Sequence, residues 1–144
     1  MAQSAESIAF SNALVADFRA SAGQVTSGPM VGRQLLLMTT TGVKSGLPRV
    51  SALAYTRDGD GYVVVGSNSG APMNPAWIAN IVANPMVMVE VGPEIFRARA
   101  VITAGVERER LWDAHVAVLP AFREYLTMTD RELPVVTLER ITSA

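Results

Sequence analysis

Short β-rich runs joined by tight turns are the feature that most narrows the folds open to this chain. Two turns have the composition typical of β-hairpins, Asp58-Gly59-Asp60-Gly61 and Gly92-Pro93. The runs that flank these turns are Val50 to Arg57, Tyr62 to Val65, Met86 to Val91 and Glu94 to Ile102. Because strands joined in hairpins are antiparallel, the sequence predicts an antiparallel sheet and not the parallel sheet of an α/β protein.

Two further runs, Leu35 to Thr40 and Val135 to Arg140, add strands to this sheet. Within Glu94 to Ile102, small or apolar residues alternate with polar ones, as in a strand that is buried on one face. About six antiparallel strands with few helices predict a mainly β (α+β) fold built around a small barrel.

Helices are expected at the periphery of the barrel. Ser4 to Ala22 has apolar residues at three- and four-residue spacing. A short helix should begin at Asn74-Pro75, with the asparagine as cap and the proline as first helical residue, and end at Asn84-Pro85. Thr103 is the expected cap of a third helix, with a continuation after Pro120.

Length and charge limit the class of protein. The 144 residues predict one domain, 1–144, with an N-terminal helix over 4–22 and a barrel body over 33–140. Twelve basic and thirteen acidic residues give a net charge of -1, which argues against nucleic-acid binding. The absence of cysteine and the presence of one histidine, His115, argue against a metal site and thiolate chemistry. His115 itself is expected to pack on a helix face.

The N-terminus lacks a signal-peptide pattern, and no apolar run reaches the roughly 18 residues of a membrane-spanning helix. The predicted location is therefore cytoplasmic. Contact of the N-terminal helix with a membrane surface stays open.

A polar, glycine-containing turn joins two apolar runs between Thr39 and Arg49. It holds Lys44, the only lysine of the chain, with Ser45 and Arg49 close by. Glycines allow a ligand to approach backbone N–H groups, and the cations would suit a phosphate or a carboxylate. The alternative is a plain hairpin turn with solvated cations.

A second polar loop, Gly66 to Trp77, lies between a strand and a helix N-terminus. Its small residues would let a flat ring lie close to the backbone. Its length, about ten irregular residues, exceeds that of most connections and favours a functional role. An ordinary connection would have the same composition.

Together these segments resemble the deazaflavin-dependent nitroreductase family. The resemblance covers about residues 33 to 140 and is carried by the segments 36–50, 66–72, 74–77, 83–85 and 129–136. It implies a split β-barrel that binds the deazaflavin coenzyme F420. It also implies an oxidoreductase that transfers a hydride from the reduced coenzyme to a small-molecule acceptor, such as an enone, activated alkene, quinone or nitro compound.

The resemblance also implies roles for individual residues. The turn that would hold the phosphate and oligoglutamate tail consists of Thr41, Gly42, Lys44, Ser45 and Arg49. The segment around the deazaflavin ring would be Ser67, Asn68, Gly70, Ala71, Ala76 and Trp77. The acceptor would contact Tyr55, Leu119, Phe122 and Tyr125, with Tyr125 as proton donor and Ser67 as a second catalytic residue.

The chain departs from the family pattern at three positions. Val43 stands where many relatives have arginine, so one cationic contact to the tail is missing. Leu119 and Phe122 stand where members that reduce nitroimidazoles have tyrosines, so two hydroxyls are missing. These departures predict a larger or more apolar acceptor than a nitroimidazole.

Two alternatives remain at the level of the sequence. The first is a split-barrel oxidoreductase that uses FMN, and the second is a carrier that binds a deazaflavin or a lipid-like ligand without turnover.

Trp77 and Trp112 fit a core as well as a ligand site, and residues 107–110 are expected to form a solvated helix start. The apolar composition allows a homodimer.

Overall fold

The structure, a computed structural model, describes residues 5–26, 28, 30–67, 70 and 72–141; for residues 5–11 it describes the backbone. The elements in chain order are α1 (Ala5–Ala20), β1 (Leu35–Thr41), β2 (Pro48–Ala54), β3 (Thr56–Asp58), β4 (Gly61–Val65), α2 (Ala76–Ala83), β5 (Met86–Val91), β6 (Glu94–Ile102), α3 (Gly105–Val118), α4 (Phe122–Tyr125) and β7 (Val135–Arg140). No helix in these ranges is long and apolar enough to cross a bilayer.

All seven strands belong to one antiparallel sheet with the order β2-β1-β5-β6-β7-β4-β3. The two outermost strands of this order, β2 and β3, are joined through one residue, Tyr55. Since two edges linked by one residue must lie side by side, the sheet curls until its edges meet. The antiparallel split barrel expected from the sequence is confirmed.

The run Val50 to Arg57, predicted as one strand, consists of two. The chain leaves the edge strand β2 at Ala54 and enters the opposite edge strand β3 at Thr56. Because the chain crosses between the two sheet edges without a turn, no glycine or proline marks the boundary between the two strands in the sequence. The barrel therefore has seven strands instead of about six.

Two apolar clusters pack on the two faces of the sheet. Inside the barrel, Trp77, Ile78 and Ile81 of α2 pack against strand residues such as Val89 and Leu138. On the outer face, α3 covers β4 and β7. That cluster contains Leu111, Trp112, Val116, Val63, Val65, Leu133 and Val135, with Phe122 and Tyr125 against its edge.

The α1 helix is fastened to the barrel near its C-terminal end. Phe18 is buried, and Arg19 donates from Nε and Nη2 to the two carboxylate oxygens of Glu90 in β5, both at 2.9 Å. The helix stops as Ala22 takes a left-handed backbone (φ 54°) and the Gly23 N–H donates to Phe18 O at 2.8 Å. It is thus two residues shorter at this end than predicted.

Two expectations about helix N-caps are wrong. The N-cap of α3 is Ala104, because the Thr103 hydroxyl instead donates to Val135 O at 2.7 Å. The N-cap of α2 is Pro75, because the side chain of Asn74 accepts a bond from Arg131. The predicted end of α2 at Asn84 is confirmed.

The first turn of α3 is also less solvated than expected. Arg108 is buried, and its Nη2 donates to Leu133 O at 2.8 Å. Its guanidinium lies 5.7 Å from the ring centre of Trp112. Glu107, Glu109 and Arg110 are exposed, as predicted. Arg108 therefore ties α3 to the segment before β7.

Candidate functional site

A cleft of about 360 Å³ opens along the edge strand β2. Residues 50–54 of β2 form its floor. Leu14 and Val15 of α1, together with Phe122 and Tyr125 of α4, line it from the helical side. The other lining residues are Met30, Arg33, Leu35, Val65, Ser67, Pro75 and Trp77. Of the site residues expected from the sequence, the cleft brings together Ser67, Trp77, Phe122 and Tyr125.

The lining of the cleft is mainly apolar. Trp77 is buried and belongs to the barrel core, so its ring is a rigid part of the wall. The hydroxyls of Ser67 and Tyr125 are polar groups of the lining, and Arg33 is its one charged side chain among the described residues. A mostly apolar pocket with a few polar groups is the usual form of a site for a ring-containing ligand.

The loop that carries Ser67 is held by Arg131. Nη1 of Arg131 donates to Gly66 O at 3.1 Å and to Asn74 Oδ1 at 2.7 Å, and Nη2 donates to Ser67 O at 2.8 Å. Partial burial lowers the pKa of this guanidinium from its ordinary value. Arg131 lies in the segment 129–136 that carries the resemblance, but it is not among the predicted site residues.

The turn between β1 and β2 has a defined hydrogen-bond pattern. The Gly42 N–H donates to Leu47 O and the Gly46 N–H donates to Gly42 O, both at 2.9 Å. The Leu47 N–H donates to the Ser45 hydroxyl at 3.1 Å. Gly46 has φ +68°, which favours glycine there. The Ser45 hydroxyl oxygen thus closes the turn.

The same turn contacts α2. The Val43 N–H donates to Oδ1 of Asn80 at 3.2 Å, and Nδ2 of Asn80 donates to the Thr40 hydroxyl at 3.0 Å. Asn80 is buried, with 6% of its surface exposed. Asn80 is not among the predicted site residues. Its only signal in the sequence is that a polar residue stands on the apolar side of a short helix.

The β2 strand connects the turn to the cleft. Arg49 directly precedes Val50, the first residue of the cleft floor, and Lys44 lies in the turn itself. Within the described residues, no carboxylate lies within ion-pair distance of Lys44, Arg49 or Arg33. A sequence signal supports this: between Asp17 and Asp58 the chain has no acidic residue. The turn and one end of the cleft therefore share a positive potential.

A row of rings backs the α4 side of the cleft. His115 is fully buried, and its ring lies edge-on to Phe122 with centres 4.6 Å apart. Phe122 in turn meets Tyr125 at 5.4 Å. Nδ1 of His115 bonds the Thr56 hydroxyl at 2.8 Å, and burial lowers the pKa of His115 to about 4. His115 is thus a neutral core residue that supports the cleft wall, as its helix position suggested.

The other predicted site residues that the structure describes are not part of the cleft lining. Tyr55 is half-buried against Tyr62 at 5.3 Å, and burial raises its pKa. Leu119 ends α3 and is half-buried. Ala76 is the exposed first residue of α2, and Thr41 ends β1. Gly70 is buried with φ +80°, where a Cβ would lie 2.7 Å from Sδ of Met128. Asn68 and Ala71 lie outside the described residues.

The chain is similar to proteins of a known family. Residues 12–140 match the family described as F420H(2)-dependent quinone reductase. The chain belongs to this family. An F420H(2)-dependent quinone reductase of Mycobacterium tuberculosis is 40% identical over 108 residues, which are 73% of this chain and 72% of the relative.

Two solved structures are similar to this chain, and the first has a description that agrees with this family. One, described as an F420-H2 dependent reductase, is 39% identical, covers 74% of this chain and 95% of that chain, and has a TM-score of 0.69. The other, described as a domain-swapped dimer, is 32% identical, covers 93% of this chain and 98% of that chain, and has a TM-score of 0.71. The split barrel of the F420H(2)-dependent quinone reductases is therefore the fold of this chain.

Membership of the F420H(2)-dependent quinone reductases makes the protein an oxidoreductase with coenzyme F420 as its cofactor. The alternatives of an FMN enzyme and of a carrier without turnover are not supported. The site residues fit the coenzyme: the cleft is lined mostly by apolar residues and has room for a ring system, and the adjoining turn has cations without acidic partners among the described residues.

Proposed function

We propose that this reductase transfers a hydride from reduced F420 to a quinone or a similar apolar, electron-poor ring compound. The observation that carries the proposal is the continuity of an apolar cleft with a cationic turn along a single strand, β2. A cofactor with a flat ring at one end and a polyanionic tail at the other matches this polarity. The quinone reductases among its relatives support the choice of acceptor.

The turn between β1 and β2 is the proposed site for the tail. Lys44 and Arg49 supply positive charge, and the Ser45 hydroxyl supplies a donor. The deazaflavin ring would lie over residues 50–54, with the Trp77 ring as a rigid wall and Ser67 at its polar edge. Asn68, Gly70, Ala71 and Ala76 belong to the proposed ring segment by resemblance, and Thr41 and Gly42 to the proposed tail segment.

When bound, reduced F420 supplies the hydride. The protein's part is to place the acceptor carbon within about 3 to 3.5 Å of the donor carbon and to keep water out. A quinone that accepts a hydride becomes a hydroquinone anion and needs one proton. The Tyr125 hydroxyl, on the cleft wall, is the proposed donor to that oxygen, and Ser67 is a polar contact in the same cleft.

The acceptor side of the cleft is apolar. Leu14, Val15 and Phe122 line it, and Phe122 and Leu119 lack the hydroxyls of members that reduce nitroimidazoles. An apolar ring loses less hydration here than a polar nitro compound does. Quinones and apolar enones are therefore the expected acceptors, ahead of nitroimidazoles. A contact of Tyr55 or Leu119 with the acceptor stays a prediction, since neither lines the cleft.

An acceptor panel tests this proposal. Reduced F420 is mixed with the purified enzyme and a naphthoquinone, an enone or a nitroimidazole, and the return of the oxidised cofactor's visible absorbance is followed. The naphthoquinone should react fastest and the nitroimidazole slowest. Absence of cofactor oxidation with every quinone and enone would overturn the proposal.

The proposed tail site has its own test. Lys44→Ala should weaken F420 binding by about 1 to 3 kcal/mol, because an ammonium–anion bond is lost. Arg97→Ala removes an exposed cation from β6 and is the control that should leave the affinity unchanged. Equal affinities for Lys44→Ala and the unchanged enzyme would show that Lys44 is a solvated turn cation.

We also propose a homodimer. Support comes from the relative described as a domain-swapped dimer, which matches nearly the whole chain. If the exchanged segment included α1, the contact of Arg19 with Glu90 would form between two chains instead of within one. Light scattering of the purified protein at several concentrations tests this, and a monomer mass throughout would contradict it. A cytoplasmic location stays a prediction.

A further inference from the structure

Asn80 is the buried polar residue that joins α2 to the hairpin of β1 and β2. Its Nδ2 donates to the Thr40 hydroxyl at 3.0 Å, and its Oδ1 accepts from the Val43 N–H at 3.2 Å. A buried amide needs partners for its donor and its acceptor. Both bonds formed by Asn80 run to one end of the hairpin, the end that carries the proposed tail site.

The link continues across both strands of the hairpin. Thr40 is 1% exposed, and its hydroxyl lies 3.5 Å from the carbonyl oxygen of Arg49, which pairs with it in the β1–β2 register. Asn80 therefore reaches Val43 directly and the backbone of Arg49 through Thr40. The next residue, Val50, is the start of the cleft floor.

The bond to Val43 also determines which amides of the turn are left for a ligand. The N–H groups of Gly42, Val43, Gly46 and Leu47 all have protein acceptors. Those of Lys44 and Ser45 have none among the described residues. Two successive free N–H groups beside a lysine ammonium form a site for a phosphate or carboxylate oxygen. Loss of Asn80 would free a third N–H and remove the contact that orients the other two.

The same helix carries part of the cleft wall. Trp77 precedes Asn80 by three residues, about one helical turn, so the two side chains belong to one rigid element. Trp77 lines the cleft, while Asn80 holds the turn. The α2 helix thus connects one wall of the cleft to the turn, in addition to the direct connection through β2.

We propose that Asn80 is a positioning residue: it holds the turn 42–47 at a set distance from the cleft, so that the turn can bind the anionic tail while the ring occupies the cleft. The inference rests on the proposed function, since it requires the tail to bind at this turn.

The experiment compares two ligands by fluorescence titration. One is F420, and the other is the same deazaflavin without its phosphate and glutamates. Asn80→Ala should bind F420 about tenfold more weakly, the effect of losing one or two hydrogen bonds. Its affinity for the tail-less compound should stay within about twofold of the unchanged enzyme.

Asn84→Ala is the matched control. Asn84 ends the same helix, and its Oδ1 accepts a single backbone bond, from the Met86 N–H at 3.1 Å, away from the turn. It should leave the affinity for both ligands unchanged. If Asn80→Ala lowered both affinities equally, or neither, the proposal would be wrong.

The same titrations distinguish a failure of the proposed function from a failure of the role proposed for Asn80. If the unchanged enzyme bound F420 no more tightly than the tail-less compound, the turn would not be the tail site. If the unchanged enzyme favoured F420 and Asn80→Ala kept the whole of that preference, only the role of Asn80 would fail.

Asn80→Asp provides a second variant in case the alanine protein does not fold. The carboxylate keeps an acceptor for the Val43 N–H but places a negative charge beside the anion site. Its F420 affinity should fall, and the deficit should shrink as salt is added, because salt screens charge repulsion. Affinity equal to that of the unchanged enzyme at all salt concentrations would contradict the placement of the tail.

Discussion

Nη2 of Arg131 lies 2.8 Å from the carbonyl oxygen of Ser67, a residue of the cleft wall, while its Nη1 lies 3.1 Å from Gly66 O. One planar guanidinium thus fixes two successive carbonyls of a loop from a segment 64 residues further along the chain. Lysine has the same charge but cannot make this forked arrangement.

Arg131→Lys should therefore loosen the loop that carries Ser67. We expect kcat/KM for reduced F420 to fall about tenfold, since about 1.4 kcal/mol of hydrogen bonding is lost. Steady-state kinetics with a quinone measure the effect. Arg99→Lys, an exchange at an exposed position of β6, is the control and should leave kcat/KM unchanged. If Arg131→Lys kept the kcat/KM of the unchanged enzyme, the loop would hold its shape without the two guanidinium hydrogen bonds to Gly66 and Ser67.

The hairpins were predictable because their turns have a local chemistry of glycine, aspartate and proline. The break at Tyr55 was not, since moving from one sheet edge to the other requires no turn residue. Arg108 and Arg131 escaped prediction for a related reason: their partners include the carbonyls of Leu133, Gly66 and Ser67, and a backbone carbonyl carries no sequence signal.

The candidate site was also predictable from the sequence only in part. The turn with Lys44 was visible because it is continuous in sequence. The cleft walls come from α1, β2 and α4, which are far apart in the chain, so only tertiary packing places Leu14 beside Phe122 and Tyr125 around one cavity. Family resemblance selected Phe122 and Tyr125, and nothing in the sequence selected Leu14.

Stability should depend on pH through His115. Its pKa is about 4 in the folded protein, against an ordinary value of 6.5, because the ring is fully buried. The unfolded chain therefore binds a proton between these values that the folded protein does not. Above pH 6.5 the residue is neutral in both states, and as pH falls from about 6.5 to about 4 the free energy of unfolding should drop by about 3 kcal/mol.

Urea denaturation across that pH range measures the loss. His115→Asn keeps a polar group near the Thr56 hydroxyl but does not titrate, so its stability should vary less between pH 6.5 and 4 than that of the unchanged protein. If the free energy of unfolding varied with pH in the same way in both proteins, the loss of stability in acid would come from carboxylates instead of His115.

Gly23 should resist substitution for a steric reason. A Cβ at this position would lie 2.2 Å from the Cα of Gly92 in the β5–β6 turn, so alanine would push the linker after α1 away from the barrel. Gly32 also has a positive φ, but a Cβ there meets nothing within 4 Å. Comparison of alanine variants at Gly23 and Gly32 therefore separates the cost of backbone strain from the cost of a steric collision.

Gly32→Ala should cost about 1 kcal/mol of stability, the usual strain of a left-handed alanine. Gly23→Ala should cost about 1 to 3 kcal/mol more, in the range of an overpacked core. Thermal unfolding compares the two variants. Similar melting temperatures would mean that the linker moves aside without cost.

The ion pair of Arg19 with Glu90 should contribute more than a surface pair does, because Glu90 is only 8% exposed. Arg19→Ala would leave the carboxylate of Glu90 without its partner, and we expect a loss of about 2 kcal/mol, less than for a fully buried pair because about half of the Arg19 side chain is exposed. Arg110→Ala removes an arginine from an exposed cluster with Asp58 and Glu107 and should change stability much less, because solvent screens the pairs of this cluster. Because α1 also carries Leu14 and Val15 of the cleft, Arg19→Ala should raise KM for the quinone, whereas Arg110→Ala should not. Unfolding curves and quinone kinetics on the two variants decide this, and equal stability losses would show that α1 is held mainly by Phe18 and its apolar contacts.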